Sequence, residues 1–217
     1  MSDAPAPPEA VTAAQDAADF QALTGATDAQ MADLERFRAL LEAGNAVMNL
    51  VGPATLPDFW NRHAWDSAQL LRLAPDARSW ADLGAGAGFP GLILAILLKG
   101  TPGARVQLVE SMAKRCRFLD QVARDLALPV QIHNARAEDL SLTVDIVTAR
   151  ACAPMVRLLG YARPYFQRGA RGLFLKGQDV VTELNEAASS WTIKARLVPS
   201  LSDARGQIVD VESLARA

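Results

Sequence analysis

Residues 80–91 read Trp-Ala-Asp-Leu-Gly-Ala-Gly-Ala-Gly-Phe-Pro-Gly, an apolar run that passes through one acid into spaced glycines and then into the apolar segment 92–98. A strand entering a glycine-rich turn that opens a helix is the local architecture that holds nucleotide-like ligands at the edge of a doubly wound α/β sheet. A dinucleotide fingerprint needs glycine at its first, third and sixth positions, and counted from Gly84 the sixth position is Phe89. The pattern is Asp-x-Gly-x-Gly-x-Gly instead. Gly84, Gly86 and Gly88 would let the main chain approach the uncharged middle of S-adenosylmethionine, with Asp82 facing its ammonium group. A tight connection without a ligand uses the same glycines.

The rest of the chain alternates in the manner of parallel strands and crossover helices. Strands are expected over 79–83, 105–109, 130–133, 144–148 and 172–175, with helices near 114–126 and 155–166. Segments 193–198 and 207–211 suit a closing antiparallel hairpin. The expected fold class is α/β, a Rossmann-like class I methyltransferase: a mostly parallel seven-stranded sheet with helices on both faces and a small N-terminal helical extension. That domain would run over 79–217, behind a helical cap over 27–78. In the cap, Thr27 and Gln30 resemble a capping box, and Met31, Leu34, Phe37 and Leu41 recur at helical spacing up to a stop at Gly44-Asn45. A second helix is expected over 56–73, with Phe59, His63, Trp65, Leu70 and Leu71 as inward positions. Residues 1–26, rich in Ala, Pro and acids, read as a disordered or loosely helical leader.

Charge bears on the partner. Residues 1–35 hold seven acids and no base, so seventeen of the 24 acids remain to face all 22 bases in the body. A mildly basic body permits a phosphate-rich substrate without requiring one. A basic start and an apolar signal core are both missing from residues 1–5, and no run of eighteen apolar residues occurs, so a cytoplasmic protein that does not enter a membrane is expected. Cys116 and Cys152 lack metal-ligand or disulfide spacing and read as small buried hydrophobes; no metal site is expected.

Ligands of open α/β sheets sit outside the carboxyl ends of the strands. Glu110 ends the second strand, where a carboxylate can accept both ribose hydroxyls; an acid favoured by the following helix dipole is the plainer alternative. After the third strand, Ala137 leaves room for an adenine edge, and Glu138 or nearby backbone could meet its amino group. The fourth strand end lacks the Asp/Asn-Pro-Pro-aromatic motif of amino-group methylases, and Cys152 is not preceded by the proline of a cytosine-C5 nucleophile. Arg150 stands where an acceptor should lie, either as a planar fork for a base or phosphate or in an ion pair with Glu138 or Asp139. Arg62, His63 and Asp66 are spaced either for a substrate-facing cluster or for a helix-surface salt bridge. Lys176 is either a phosphate contact or a solvated lysine, and Lys114, Arg115 and Arg117 read as a solvated helix face.

In order along the chain stand Asn49-Leu50-Val51-Gly52, Arg62-His63-x-x-Asp66-Ser67, the glycine segment from Asp82 to Gly91, Asp145-Ile146-Val147-Thr148-Ala149-Arg150-Ala151 and Leu175-Lys176-Gly177. The chain resembles the glucose-inhibited division protein B family from about Asp28 to its end. The resemblance implies S-adenosylmethionine-dependent methylation of N7 of one guanine in the decoding-region loop of 16S rRNA, with naked rRNA or a small-subunit particle as partner and a monomeric enzyme. Carried over, Gly84, Phe89, the Ala137-Glu138 pair and Arg150 would bind the cofactor, and the helix with Arg62, His63 and Asp66 would lie over its pocket. Ala85 departs from the Thr or Ser frequent in relatives. Two other readings keep the same turn: an NAD-dependent oxidoreductase, which Phe89 disfavours, and a non-catalytic methyltransferase-like RNA-binding protein.

Overall fold

The computed structural model describes residues 12–217. Five consecutive buried residues mark β1 (Ser79–Leu83) as an interior strand of the sheet. Around it lie β2 (Arg105–Glu110), β3 (Val130–Asn134), β4 (Ile146–Arg150), β5 (Arg171–Lys176), β6 (Trp191–Pro199) and β7 (Gln207–Arg216). The spatial order is β3-β2-β1-β4-β5-β7-β6. The first five strands in sequence run parallel, while β7 pairs antiparallel with both β5 and β6. The chain leaves β1 toward β2 and β3 on one side and returns to β4 and β5 on the other, so the switch point falls between β1 and β4, where ligands of such sheets sit.

The helices are α1 (Ala17–Thr24), α2 (Asp28–Met48), a π-helical stretch over Phe59–Trp65, α3 (Asp66–Ala68), α4 (Leu70–Leu73), α5 (Gly91–Leu97), α6 (Ala113–Asp125), α7 (Met155–Phe166) and α8 (Val180–Ala187). Two apolar layers hold them to the sheet. One gathers Phe37, Trp65, Leu92 and Phe118 on the face of α2, α5 and α6, and the other gathers Leu83, Leu159, Tyr165 and Val209 on the face of α7 and α8. Among the described residues no helix is long and apolar enough to cross a membrane.

Several boundaries differ from expectation for local reasons. Residues 1–11 of the expected leader lie outside the described residues. Its remainder takes the helical alternative: Asp16 accepts the Asp19 N–H as an N-cap, and Phe20 is fully buried with its ring centroid 5.4 Å from that of Trp60. Burying one phenyl ring contributes about 1.5–3 kcal/mol, enough to dock a two-turn helix. The capping box at Thr27 and Gln30 forms, but α2 does not stop at Gly44. A Cβ there would lie 2.9 Å from the Phe118 ring, so Gly44 serves close packing inside the helix, and the left-handed Asn49 ends it. The fourth strand begins two residues late and runs through Arg150, because Asp145 is spent accepting the Arg78 and Ser79 N–H groups. The α8 helix, which pattern reading left unassigned, covers β5 and the closing hairpin's side of the second layer.

Candidate functional site

The glycine turn is pinned from below. The N–H groups of Gly84 and Ala85 both donate to the Val109 carbonyl, at 2.8 and 3.0 Å, which ties the end of β1 to β2. The glycines then differ. A Cβ on Gly84 would meet Cys152 Sγ at 2.7 Å, and one on Gly88 would meet the Leu92 side chain at 2.3 Å, so these two exist for packing. Gly86, at φ +57°, would meet only the Gly84 carbonyl oxygen at 3.6 Å. It alone of the three presents bare main chain to open space, in a conformation that an L side chain resists.

Two cavities flank this turn. The smaller, about 280 Å³, is lined by Gly84, Glu110, Met112, Ala137, Glu138 and Cys152 among others. The larger, about 770 Å³, is lined by His63, Asp66, Phe89, Arg150, Lys176 and Arg205 among others. They share Ala151, a non-glycine residue at φ +50°.

In the smaller cavity Glu110 is buried where expected. Its Oε2 accepts the Gly86 N–H at 3.0 Å and its Oε1 accepts the Met112 N–H at 2.8 Å, with Arg115 at 3.7 Å. A carboxylate has lone pairs left after two bonds, so this one, fixed in orientation, can still accept a vicinal diol. Ala137 is buried and its carbonyl accepts from Tyr165, while Glu138 is partly exposed beside Arg136 at 3.7 Å. Arg115 therefore belongs to this cavity and not to a solvated helix face. Cys152 likewise lines it half-exposed, in contrast to the buried Cys116, and burial among carboxylates pushes its thiol up to about 11.

Asp82 is placed differently from expectation. It is fully buried under the turn, Oδ2 accepts the Gly91 N–H at 2.9 Å, and Oδ1 has no partner among the described residues. It borders neither cavity and acts by holding the start of α5. Burial pushes its carboxyl up to about 7 against the lowering effect of Gly91 and Arg150.

The larger cavity is organised by Arg150. Its Nη1 donates to the Arg62 carbonyl at 2.9 Å and to Asp66 Oδ2 at 3.2 Å, its Nη2 donates to His63 Nδ1 at 3.0 Å, and its guanidinium lies 4.8 Å over the Phe89 ring. Arginine has no acceptor, so His63 Nδ1 must accept, and its Nε2–H then donates to Thr55 Oγ1 at 3.0 Å. The geometry fixes a neutral imidazole, stacked on Phe89 at 4.6 Å. Burial, then Arg150 and Arg62, lower its pKa to about 3. Asp66 completes the cluster by accepting from Ser202 Oγ at 2.7 Å and Gln69 Nε2 at 3.2 Å.

Three expectations change here. Arg150, expected with Phe89 at the cofactor, lines the larger cavity with it and not the smaller, and it pairs with Asp66 and not with Glu138 or Asp139, because as the last residue of β4 it faces the helical cap. Asp66 makes no helix-surface pair with Arg62, whose side chain stays exposed. Lys176 is not a solvated lysine: bordering the larger cavity, it pairs with Glu183 at 2.6 Å and donates to the Ala153 carbonyl at 3.2 Å. Sequence reading missed Ser202, Gln69 and Glu183. Ser202 reaches Asp66 from 136 residues away and carries no local signal, and Gln69, three residues along the same helical stretch, carries only ordinary helical spacing, whereas Glu183 sits on the amphipathic α8 that turn-to-turn spacing of Val180, Leu184 and Ala187 could have found.

The residues present fit an S-adenosylmethionine-like group: Gly84 and the oriented Glu110 carboxylate stand in the wall of the smaller cavity, and Gly86, whose N–H holds that carboxylate, presents bare main chain beside it. Comparison with known proteins agrees in fold. A crystal structure titled a SAM dependent methyltransferase from Aquifex aeolicus superposes with a TM-score of 0.56 at 15% identity, covering 77% of this chain and 96% of that one. A variant of MtNAS in complex with S-adenosylmethionine gives 0.55 at 15% identity, over 91% and 84%. Sequence relatives are far nearer. A protein named ribosomal RNA small subunit methyltransferase G from Caulobacter vibrioides (strain NA1000 / CB15N) is 68% identical over 96% of this chain and 95% of its own, and one of that name from Methylorubrum populi is 49% identical over 84% and 88%. The GidB pattern, described as rRNA small subunit methyltransferase G, matches residues 30–209. With its fold, its two-cavity switch point and these matches, the chain belongs to the GidB family of rRNA small subunit methyltransferases G.

Proposed function

We propose that this chain transfers the methyl group of S-adenosylmethionine to N7 of one guanine in the decoding-region loop of 16S rRNA, acting as a cytoplasmic monomer on the rRNA or a small-subunit particle. The single observation that carries the reading is the pair of cavities meeting at Ala151 across the glycine turn. The smaller takes the cofactor, with Gly86 against its middle, Glu110 on the ribose and the Ala137-Glu138 segment at the adenine. When bound, the cofactor supplies an electrophilic methyl group on sulfur. The larger takes the base.

Guanine N7 carries an unprotonated lone pair, so attack on that methyl group requires no base, and positioning and electrostatics carry the step. The cluster suits that demand. His63 is neutral with both ring nitrogens engaged, and Asp66 is held by three donors, so neither is free to take a proton. The Arg150 guanidinium, braced on the buried Phe89 ring, borders the cavity at the turn, and the exposed Arg62 and Arg205 at the rim suit phosphates.

The test is transfer of labelled methyl from S-adenosylmethionine to rRNA lacking the modification, with the site mapped by strand cleavage at N7-methylguanine. One modified guanine is expected. Calorimetry should show S-adenosylmethionine binding and no NADH binding; the reverse preference overturns the reading.

A further inference from the structure

Two cavities can work together only if the linker between them stays put, and that linker is residues 151–154. It follows Arg150, carries Ala151 in a left-handed conformation, and ends at Pro154, which has no N–H with which to be tied down. A non-glycine residue at positive φ is strained and persists only where its surroundings impose it. Something must grip this segment.

The grip comes from Glu183, one turn into α8. Its Oε2 accepts the Met155 N–H at 2.7 Å and the Lys176 ammonium at 2.6 Å. Lys176, the last residue of β5, passes the hold on by donating to the Ala153 carbonyl at 3.2 Å. The two contacts fall on either side of Pro154. The strand register adds a third constraint, since Leu175 pairs with Arg150 in the adjacent strand. Lys176 is 11% exposed and Glu183 25%, so the pair is largely removed from water and removing the acid leaves a nearly buried ammonium with a carbonyl alone. Both residues border the larger cavity.

We infer that Glu183 is a positioning residue for the transfer step: through the Met155 N–H and Lys176 it holds the 151–154 linker, and with it Arg150, in the register that aligns the base cavity with the cofactor cavity. This rests on the two-cavity reading above. Although Glu183 stands in the wall of the larger cavity, its Oε2 is spent on the Met155 N–H and Lys176, so its effect on transfer runs through the linker. A plain structural role, joining α8 to the sheet, would lower stability without a selective effect on transfer.

The experiment uses the full chain and the variants Glu183→Ala, Glu183→Gln and Lys176→Met. Three quantities are read on each: the dissociation constant for S-adenosylmethionine, the single-turnover rate of methyl transfer to rRNA at saturating cofactor and RNA, and the melting temperature. Glu183→Ala should slow the single turnover at least about tenfold while cofactor affinity stays within about threefold, the pattern of an interaction that aligns reactants and does not bind them. Glu183→Gln, which still accepts from Met155 but no longer balances Lys176, should fall between the two. If Glu183→Ala does not fold, Lys176→Met tests the other arm and should slow transfer in the same direction. Wild-type single-turnover rates in Glu183→Ala or, failing that, in Lys176→Met, whatever happens to the melting temperature, would overturn the inference and leave the site reading intact. A wild-type chain that binds S-adenosylmethionine but modifies no guanine would overturn both.

Discussion

The smaller cavity is built mainly from main chain and the larger mainly from side chains. Around the smaller one, Gly86 and Met112 amides fix Glu110, and the Val109 carbonyl fixes the turn. Around the larger one, Arg150, His63, Asp66 and Ser202 fix one another. A main-chain cradle suits a ligand that is the same in every turnover. A side-chain cluster can be tuned to one acceptor, and it is correspondingly easier to break.

The largest effect separates the two halves from the cofactor side. Gly86→Asp puts a Cβ and a charge at a φ of +57° beside Glu110, into the space that the main chain leaves open. Affinity for S-adenosylmethionine should fall at least about a hundredfold, about 2.7 kcal/mol, while the chain keeps its fold. Calorimetry with circular dichroism checks both. Full retained affinity would mean that the cradle lies elsewhere.

From the base side, Arg150→Lys should do the opposite. A lysine cannot hold the Arg62 carbonyl, Asp66 and His63 at once in a plane over Phe89. Single-turnover transfer should drop by about 10²–10³, the range for losing one preorganised electrostatic contact, with cofactor affinity changed by less than about threefold. Equal losses in both would erase the distinction between the halves.

That distinction also governs what the sequence revealed. The turn, Glu110 and Ala137 are legible because each lies at a strand end within a few residues of a composition signal, and strand ends converge by topology alone. The larger cavity is legible only in part. Arg62, His63, Asp66 and Arg150 were recognised, but their pairing was not, since it depends on the π-helical stretch turning Asp66 toward β4 and on Ser202, 136 residues away, meeting it. Asp82 shows the reverse error: a motif residue read as a ligand group is a buried helix support, and only burial distinguishes the two.

Acid should expose the neutrality of His63. Its folded pKa of about 3 lies below its usual 6.5, so between these values the unfolded chain holds a proton that the native one refuses. Stability from this group is complete above about pH 6.5 and is lost as pH falls toward 3. Asp82 acts in the contrary sense, because its pKa is raised to about 7 and the native state holds an extra proton between about pH 4 and 7. The difference between wild type and His63→Asn, followed by urea unfolding from pH 4.5 to 7.5, isolates the first. Its slope should approach but not exceed about 1.4 kcal/mol per pH unit. A flat difference would mean that the imidazole takes up a proton in the fold as readily as in the unfolded chain, and that Arg150 is not its partner.

The smallest effect concerns Ala151, where the cavities meet. At φ +50° a methyl side chain carries strain that glycine does not, so Ala151→Gly should stabilise the fold by about 0.5–1 kcal/mol, read as a higher urea midpoint at unchanged slope. The same change loosens the linker that Glu183 and Lys176 grip, and transfer should slow by about two- to fivefold. A gain in stability with a loss in rate is what a strained joint between a rigid cradle and an adjustable cluster predicts. A gain in both would show that the methyl group at the junction serves neither cavity.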